Sequence, residues 1–310
     1  MKKILKKLRY NFYISTVLKL TLVPIYKICA FINFRISRHI LINSGTVEYD
    51  GYKLSFPKNL GVNYISSLFW NGDDGFEKDV WKTLKPLILK SNYFFDIGSN
   101  IGFYSVLAKK ANANIKVAAF EPIESIYNKN LKFHKANNIL TNEIKNMAIS
   151  DKDGTTEIYL PDSIDNEEET TATLDKNSWQ HSKKHMSFSV KTRKLDSFVK
   201  DLNLSIKEKV VIKIDIEGFE LYALKGAEEM ITKHKPYIVC EILSRKDADL
   251  DTFKFMENLG YQTFAITADG LFKIQLHETL MPRKFRDFLF APKELKGNYY
   301  HYSDIEKLCF

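Results

Sequence analysis

Residues 93–104 constrain the fold of this chain more than any other part of the sequence. A short apolar run contains Asp96 near its end, and Gly98 and Gly102 follow closely. A helical period of apolar residues begins directly afterwards. This pattern predicts a strand, a tight turn and a helix, which together form the first βα unit of a doubly wound α/β sheet. Because such sheets bind ligands at the carboxyl ends of their strands, the turn indicates where a functional site lies.

The turn departs from the dinucleotide-binding pattern in two ways. Asn100 lies between the two glycines, so the middle glycine of the G-x-G-x-x-G fingerprint is missing. Asp96 precedes the turn, where it would repel a phosphate. Both departures favour a nucleoside cofactor without phosphates, and S-adenosylmethionine has this chemistry. We expect Gly98 to let the backbone approach the ligand, Gly102 to let the helix pack closely on the strand, and Asp96 to attract the cationic methionine end.

A second apolar run, residues 115–120, ends in Glu121 and Pro122. Proline stops the strand there, and residues 125–134 have the pattern of the next helix. A carboxylate at the end of the second strand can accept hydrogen bonds from both ribose hydroxyls of a nucleoside. We therefore predict that Glu121 binds the cofactor ribose.

These motifs and several later ones resemble those of the FkbM family of S-adenosylmethionine-dependent methyltransferases. The hallmark is the stretch IKIDIEGFE at residues 212–220, followed by LKGA at residues 224–227. The other matching motifs occupy residues 96–105, 120–122, 147–154, 195–196 and 236–241, within a resemblance that covers roughly residues 76–292. The resemblance implies methyl transfer, most often to oxygen and frequently in glycan or small-metabolite pathways. The cofactor-binding residues predicted in this way are Asp96, Gly98, Asn100, Gly102, Glu121, Pro122 and Ala148.

Three carboxylates lie at the carboxyl ends of the fourth and fifth predicted strands, over residues 210–214 and 237–241. We take Asp215, Glu217 and Glu241 as the candidate catalytic residues. One of them can act as a general base for a weakly nucleophilic hydroxyl. Alternatively, the three can bind a hard cation such as Mg²⁺, which would acidify the acceptor. A structural role, in which acids hold loops or favour a helix N-terminus, is the competing interpretation. Lys213 shares the face of Asp215, where it either pairs with a carboxylate or steers an anionic acceptor.

Composition narrows the class of protein. The 310 residues carry a formal net charge of +8, but the basic residues cluster at the N-terminus rather than on a domain face, so a nucleic-acid partner is not expected. The cysteines at positions 29, 240 and 309 are far apart. Neither a zinc site nor a disulfide framework is indicated, and this usage is typical of the cytoplasm.

We predict that residues 1–44 form a basic, helical N-terminal extension. No uncharged apolar run in residues 11–42 has the length of a membrane span, since charged residues and a proline interrupt it. Two interpretations remain: amphipathic helices on the inner face of the cytoplasmic membrane, or a helical cap packed on the enzyme or on a second subunit of a homo-oligomer. Basic residues flanking aromatic ones slightly favour the membrane.

The rest of the chain, residues 45–310, is predicted to be one methyltransferase domain with its core at about residues 76–292. The expected fold is α/β and Rossmann-like, as in class I methyltransferases, with a seven-stranded, mostly parallel sheet and an antiparallel last strand. We expect strands and turns over residues 45–70, helices over 76–90 and 220–231, and one strand over 143–149. A long polar loop over residues 161–185 is either a lid over the acceptor or a solvated insertion.

The sequence thus predicts an enzyme that methylates a hydroxyl of a sugar or another glycan-pathway acceptor with S-adenosylmethionine. A carboxyl or other small-metabolite methyltransferase is the alternative within the same class. A nucleotide-dependent oxidoreductase is disfavoured by the missing middle glycine, and a non-catalytic membrane-associated protein by the intact acids.

Overall fold

The computed structural model describes residues 13, 16–17, 20–21, 44–60, 62–161, 185–242, 248–274, 285–292 and 297–305. Most of the predicted N-terminal extension and of the predicted polar loop lies outside these residues. No helix within the described part of the chain is long and apolar enough to cross a membrane.

The described residues form fourteen strands and eight α-helices. The strands are β1 (Gly45–Tyr49), β2 (Tyr52–Phe56), β3 (Tyr93–Ile97), β4 (Lys116–Phe120), β5 (Ile144–Lys145), β6 (Ala148–Ile149), β7 (Gly154–Pro161), β8 (His185–Arg193), β9 (Val210–Ile214), β10 (Tyr237–Glu241), β11 (Gln262–Thr267), β12 (Gly270–Ile274), β13 (Asp287–Ala291) and β14 (Tyr299–Tyr300). The helices are α1 (Val62–Asn71), α2 (Lys78–Leu89), α3 (Phe103–Ala111), α4 (Glu124–Ala136), α5 (Leu195–Leu202), α6 (Glu220–Lys225), α7 (Glu228–His234) and α8 (Ala248–Asn258).

A nine-stranded sheet in the order β14-β12-β11-β13-β10-β9-β3-β4-β5 forms the centre of the molecule. Strands β5, β4, β3, β9 and β10 are parallel to their neighbours within this group. The late strand β13 is inserted antiparallel between β10 and β11. The predicted class I methyltransferase sheet, with its antiparallel last strand, is therefore confirmed, and β12 and β14 extend it at one edge.

The central strands are buried on both faces, as their nearly continuous apolar sequences require. Every residue of β3 and of β9 is buried. One face packs against α2 and α3 through side chains such as Trp81 and Val106. The other packs against α5 and α7 through side chains such as Phe198 and Met230. Since β3 has β4 on one side and β9 on the other, the chain reverses its direction of winding at β3, and a crevice opens there.

Several boundaries differ from the sequence-based expectations. Residues 45–70 contain α1 in addition to the β1–β2 hairpin, and the helix expected from residue 76 begins at Lys78. The strand expected over residues 143–149 is divided, because β5 joins the main sheet while β6 pairs with β8 in a separate three-stranded sheet, β6-β8-β7.

The helix expected over residues 220–231 is two helices, α6 and α7, separated at Gly226 and Ala227. The break is stabilised from outside, since Asp196 accepts hydrogen bonds from the backbone N–H groups of Glu229 and Met230 at 3.1 and 2.8 Å. The backbone N–H of Asp196 in turn donates to the carbonyl oxygen of Gly226 at 3.0 Å. Asp196 thus satisfies the free N–H groups at the start of α7, as a capping side chain does.

Candidate active site

A pocket opens at the carboxyl ends of β3, β4, β9 and β10, where a doubly wound sheet binds its ligands. All the predicted site residues except Gly102 line this pocket. The structure therefore brings the predicted cofactor-binding residues and the predicted catalytic carboxylates to one cavity. Further lining residues that the sequence analysis did not select include Phe76, Glu77, Tyr104, Phe219 and Arg286.

The turn after β3 has three residues in the left-handed backbone region: Gly98, Asn100 and Gly102, with φ values of 77°, 49° and 84°. A Cβ atom on Gly98 would lie 1.9 Å from the carbonyl oxygen of Asp215. Glycine is therefore required here because the chain leaving β9 approaches so closely. A Cβ on Gly102 would lie 2.4 Å from Oδ1 of Asn130, so Gly102 permits close packing against α4 rather than against a strand.

Asn130 stabilises the turn after β3 through hydrogen bonds. Its Nδ2 donates to Oγ of Ser99 at 3.0 Å and to the carbonyl oxygen of Asn100 at 2.9 Å, and the residue is fully buried. Sequence reasoning missed Asn130, and the only signal was a polar residue on the apolar face of a helix. A buried amide that bonds the backbone of a ligand-binding turn fixes its shape before any ligand arrives.

Glu121 lies at the end of β4 with 5% of its surface exposed. Its two carboxylate oxygens accept hydrogen bonds from the backbone N–H groups of Asn100 and Ile123 at 3.1 and 2.9 Å. Burial raises the pKa of Glu121 to about 7, although these two hydrogen bonds oppose the shift. An ionised carboxylate offers about four acceptor sites, so it can still accept from two hydroxyls. The two hydroxyl donors of the ribose of S-adenosylmethionine fit these acceptor sites.

Lys213 is a buried cation that also lines the pocket. Its ammonium is 2.8 Å from Oδ2 of Asp215 and 4.8 Å from the centre of the Tyr104 ring. Burial disfavours the charged ammonium, but Asp215, Glu77 and Asp96 outweigh it and raise the pKa of Lys213. The expected pairing with a carboxylate is therefore present, and Lys213 stays positively charged.

Asp96 is the most enclosed acid of the site, with 1% of its surface exposed. Oδ2 accepts a hydrogen bond from Oγ of Ser105 at 2.5 Å. Burial raises the pKa of Asp96, and the neighbouring Lys213 and the bond from Ser105 oppose the shift. The side chain therefore links the start of α3 to the charged cluster around Lys213.

The predicted catalytic acids form a cluster. Carboxylate oxygens of Asp215, Glu217 and Glu241 lie within 4.8 Å of one another. Asp215 hydrogen-bonds Glu241, and Glu241 forms an ion pair with Arg286. Burial and the adjacent Asp215 raise the pKa of Glu241 to about 9, whereas Lys213 offsets the effect of burial on Asp215 and lowers its pKa. Asp215 and Glu241 therefore titrate as a pair, and a proton that the pair takes up is favoured on Glu241 rather than on Asp215.

Aromatic rings form the remaining wall. Phe219 lines the pocket and stacks on Tyr222, with ring centres 5.5 Å apart and an interplanar angle of 26°. On the other side, Phe76 packs edge-on against Phe103 with centres 4.9 Å apart. The site thus combines a small number of charged groups with flat apolar surfaces, as ligand pockets usually do.

The sheet order and the pocket at its switch point define a Rossmann-like class I methyltransferase. The sequence matches the model of the methyltransferase FkbM domain over residues 96–263, which is more than half of the chain. The chain therefore belongs to the FkbM methyltransferase family.

Comparison with solved structures gave several similar chains. FkbM from Methylobacillus flagellatus is 17% identical with a TM-score of 0.37, over 65% of this chain and 44% of that one. Precorrin-6y C5,15-methyltransferase from Geobacter metallireducens is 13% identical with a TM-score of 0.38, over 77% of this chain and 100% of that one. A putative SAM-dependent methyltransferase from Streptococcus mutans is 10% identical with a TM-score of 0.38, over 80% and 55% of the two chains. The chain thus spans less than half of the length of the Methylobacillus protein. No curated protein matched the sequence significantly.

Proposed function

We propose that this protein uses S-adenosylmethionine to methylate a hydroxyl group of a sugar or another neutral glycan-pathway acceptor. One observation carries the proposal: a single pocket joins a carboxylate suited to a ribose, Glu121, to an acidic and aromatic region around Asp215 and Phe219. The first region fits a nucleoside and the second fits an uncharged polyol.

The proposed cofactor region consists of the turn after β3 and the ends of β4 and β6. Glu121 would accept hydrogen bonds from the ribose, and Pro122 and Ala148 would line the cavity beside it. Asp96 would favour the cationic methionine end through its negative charge. When bound, S-adenosylmethionine supplies an electrophilic methyl group on a sulfonium. The protein must then hold the acceptor oxygen in line with that methyl, and alignment alone can lower the barrier by several kcal/mol.

The proposed acceptor region favours a neutral molecule. Two cations of this wall are already paired, Lys213 with Asp215 and Arg286 with Glu241. An acceptor carboxylate would have to compete with these acids for the cations, which disfavours the alternative of carboxyl methylation. The stacked pair of Phe219 and Tyr222 offers a flat apolar surface, against which the CH face of a sugar ring can pack by dispersion.

A divalent cation is a second candidate occupant of the three clustered carboxylates. Lys213 and Arg286 already pair with Asp215 and Glu241, so a divalent cation would have to displace both of them. We therefore expect methyl transfer to continue after dialysis against EDTA. Loss of activity that Mg²⁺ restores would contradict this expectation and assign the carboxylates to a metal.

The proposal is tested by calorimetric titration of the folded protein with S-adenosylmethionine and S-adenosylhomocysteine, followed by transfer of a labelled methyl group to a panel of methyl pyranosides. We expect micromolar cofactor binding that Glu121→Ala weakens about 100-fold, the loss expected for two charge-assisted hydrogen bonds. A matched control is Glu143→Ala, which removes a carboxylate from the neighbouring strand end outside this pocket. Folded protein that binds neither compound would refute the proposed function.

A further inference from the structure

Glu77 is a pocket residue that lies outside the family-matched segment. It immediately precedes α2, whereas the match to the FkbM domain begins at residue 96. Its side chain lines the cavity together with Tyr104, Lys213 and Asp215. The residue is exposed. The surrounding protein nevertheless desolvates the carboxylate and raises its pKa, and attraction to Lys213 opposes that shift.

The backbone of Glu77 is strained and held in place by its neighbours. Its φ and ψ are 34° and 46°, in the left-handed region that residues with a Cβ rarely adopt. The strain is not explained by capping, because the side chain makes no cap hydrogen bond at the start of α2. Tyr49 donates to the carbonyl oxygen of Phe76 at 2.8 Å, and Ser67 donates to that of Gly75 at 2.5 Å. Such over-determined strain is typical of functional positions.

Three other acids of the pocket have partners that restrict them. Asp96 is almost fully buried and bonded to Ser105. Asp215 is paired with Lys213, and Glu241 with Arg286. By contrast, Glu77 accepts one hydrogen bond, from the Tyr104 hydroxyl to Oε2 at 2.6 Å. Among the described residues it forms no ion pair and no bond through Oε1, so that oxygen is available to an acceptor.

We propose that Glu77 is the general base that takes the proton of the acceptor hydroxyl. This inference rests on the proposed function. The acceptor O–H bond breaks and its proton goes to Oε1 of Glu77. The acceptor oxygen forms the O–CH₃ bond with its electron pair as the C–S bond breaks, and that bonding pair stays on sulfur. Tyr104 orients the carboxylate through Oε2, and attraction to Lys213 favours its ionised form.

The environment of Glu77 suits this role. Burial and the nearby Glu77 raise the pKa of Tyr104, so its hydroxyl remains a donor throughout the working pH range. A carboxylate partly desolvated in a cavity is a stronger base than one in water, which improves proton transfer from a weakly acidic hydroxyl. The charged and titratable groups that act on Glu77 or respond to its charge are Tyr49, Tyr104, Lys213, Asp215, Arg286 and Asp287.

The test compares Glu77→Gln with wild type and with Asp79→Asn, which neutralises an acid in the first turn of α2 outside the pocket. Cofactor affinity is measured by calorimetry, and turnover with the best methyl pyranoside of the panel as the probe. We expect Glu77→Gln to bind S-adenosylmethionine within about twofold of wild type while kcat falls about 100-fold or more. Asp79→Asn should retain both. The wild-type rate should rise with pH as Glu77 ionises, and this limb should disappear in Glu77→Gln.

Three outcomes would overturn the assignment. Unchanged turnover in Glu77→Gln would show that the carboxylate takes no proton. Equal losses of cofactor affinity and kcat would place Glu77 against the methionine ammonium instead. Wild-type protein that binds no S-adenosylmethionine or methylates no pyranoside would refute the proposed function and the base with it. Glu77→Asp separates chemistry from folding, since a shorter carboxylate should restore part of kcat and the pH limb.

Discussion

Burial raises the pKa of the Glu121 carboxyl group to about 7. Both carboxylate oxygens accept hydrogen bonds from backbone N–H groups, and these bonds favour the ionised form. The effect of burial on the pKa is nevertheless larger. The group therefore titrates near neutrality in the free protein. A ribose diol donates two further hydrogen bonds to the ionised form only, so cofactor binding should draw the equilibrium towards the carboxylate.

This coupling predicts a pH-dependent cofactor affinity. Because the ionised form binds and the free pKa is about 7, affinity should be full above pH 7 and fall below it. Between pH 8 and pH 6 the ionised fraction changes about tenfold, and the dissociation constant of S-adenosylhomocysteine should rise by about that factor. Calorimetry at a series of pH values measures it. Glu121→Gln should bind more weakly and lose this component of the dependence. An identical pH profile in the two proteins would contradict the role of Glu121.

The sequence identified some site residues but not others, and the difference has a physical cause. Asp96, Glu121 and Asp215 end strands beside glycine or proline turns, and parallel strands bring such ends to one edge. Glu77 and Arg286 reach the same cavity through tertiary packing of segments far apart in the chain. No local pattern in the sequence indicates that two such distant segments line the same cavity.

At the scale of elements, Gly226 shows how the structure overrides local helix propensity. A Cβ there would lie 1.9 Å from the carbonyl oxygen of Ser150, although the φ of −72° is ordinary for any residue. Close contact with the chain that follows β6 therefore requires glycine and ends α6. The sequence predicts one helix here because its apolar period continues across the break. The capping of α7 by Asp196, which makes the break stable, comes from a distant segment.

Replacing this glycine should be costly. We expect Gly226→Ala to lower the free energy of unfolding by about 3 kcal/mol, because a backbone atom cannot move aside as a side chain can. Gly51→Ala is the control: its φ is 79°, but nothing lies within 4 Å of the added Cβ, so strain alone should cost about 1 kcal/mol. Urea denaturation measures both. A loss in Gly226→Ala no larger than that in Gly51→Ala would show that the contact with Ser150 relaxes freely.

At the scale of the whole molecule, the sequence predicts the central sheet better than the strands added at its edge and the separate small sheet. The order of the central strands follows from alternating strand and helix patterns, since crossovers between parallel strands are right-handed and connect neighbouring elements. The strands β6 and β14 have two residues each. Their sequences do not specify a partner, because many segments of that length could pair equally well. The division into residues 1–44 and a methyltransferase domain of residues 45–310 stays a proposal.

The basic N-terminal extension leads to the last prediction, which concerns the location of the whole protein. Five basic residues lie within the first nine positions: Lys2, Lys3, Lys6, Lys7 and Arg9. Near an anionic membrane surface each contributes about 1 kcal/mol, an attraction that salt screens. We expect the full chain to float with vesicles containing anionic lipid at low salt, but not with neutral vesicles.

A variant with these five residues changed to glutamine tests the cause, because it keeps the length and the apolar residues of the extension. It should remain at the bottom of the gradient while retaining cofactor affinity, since the pocket lies in the catalytic domain. Full-length protein that stays unbound with anionic vesicles would favour the alternative, a helical cap packed on the enzyme or on a second subunit.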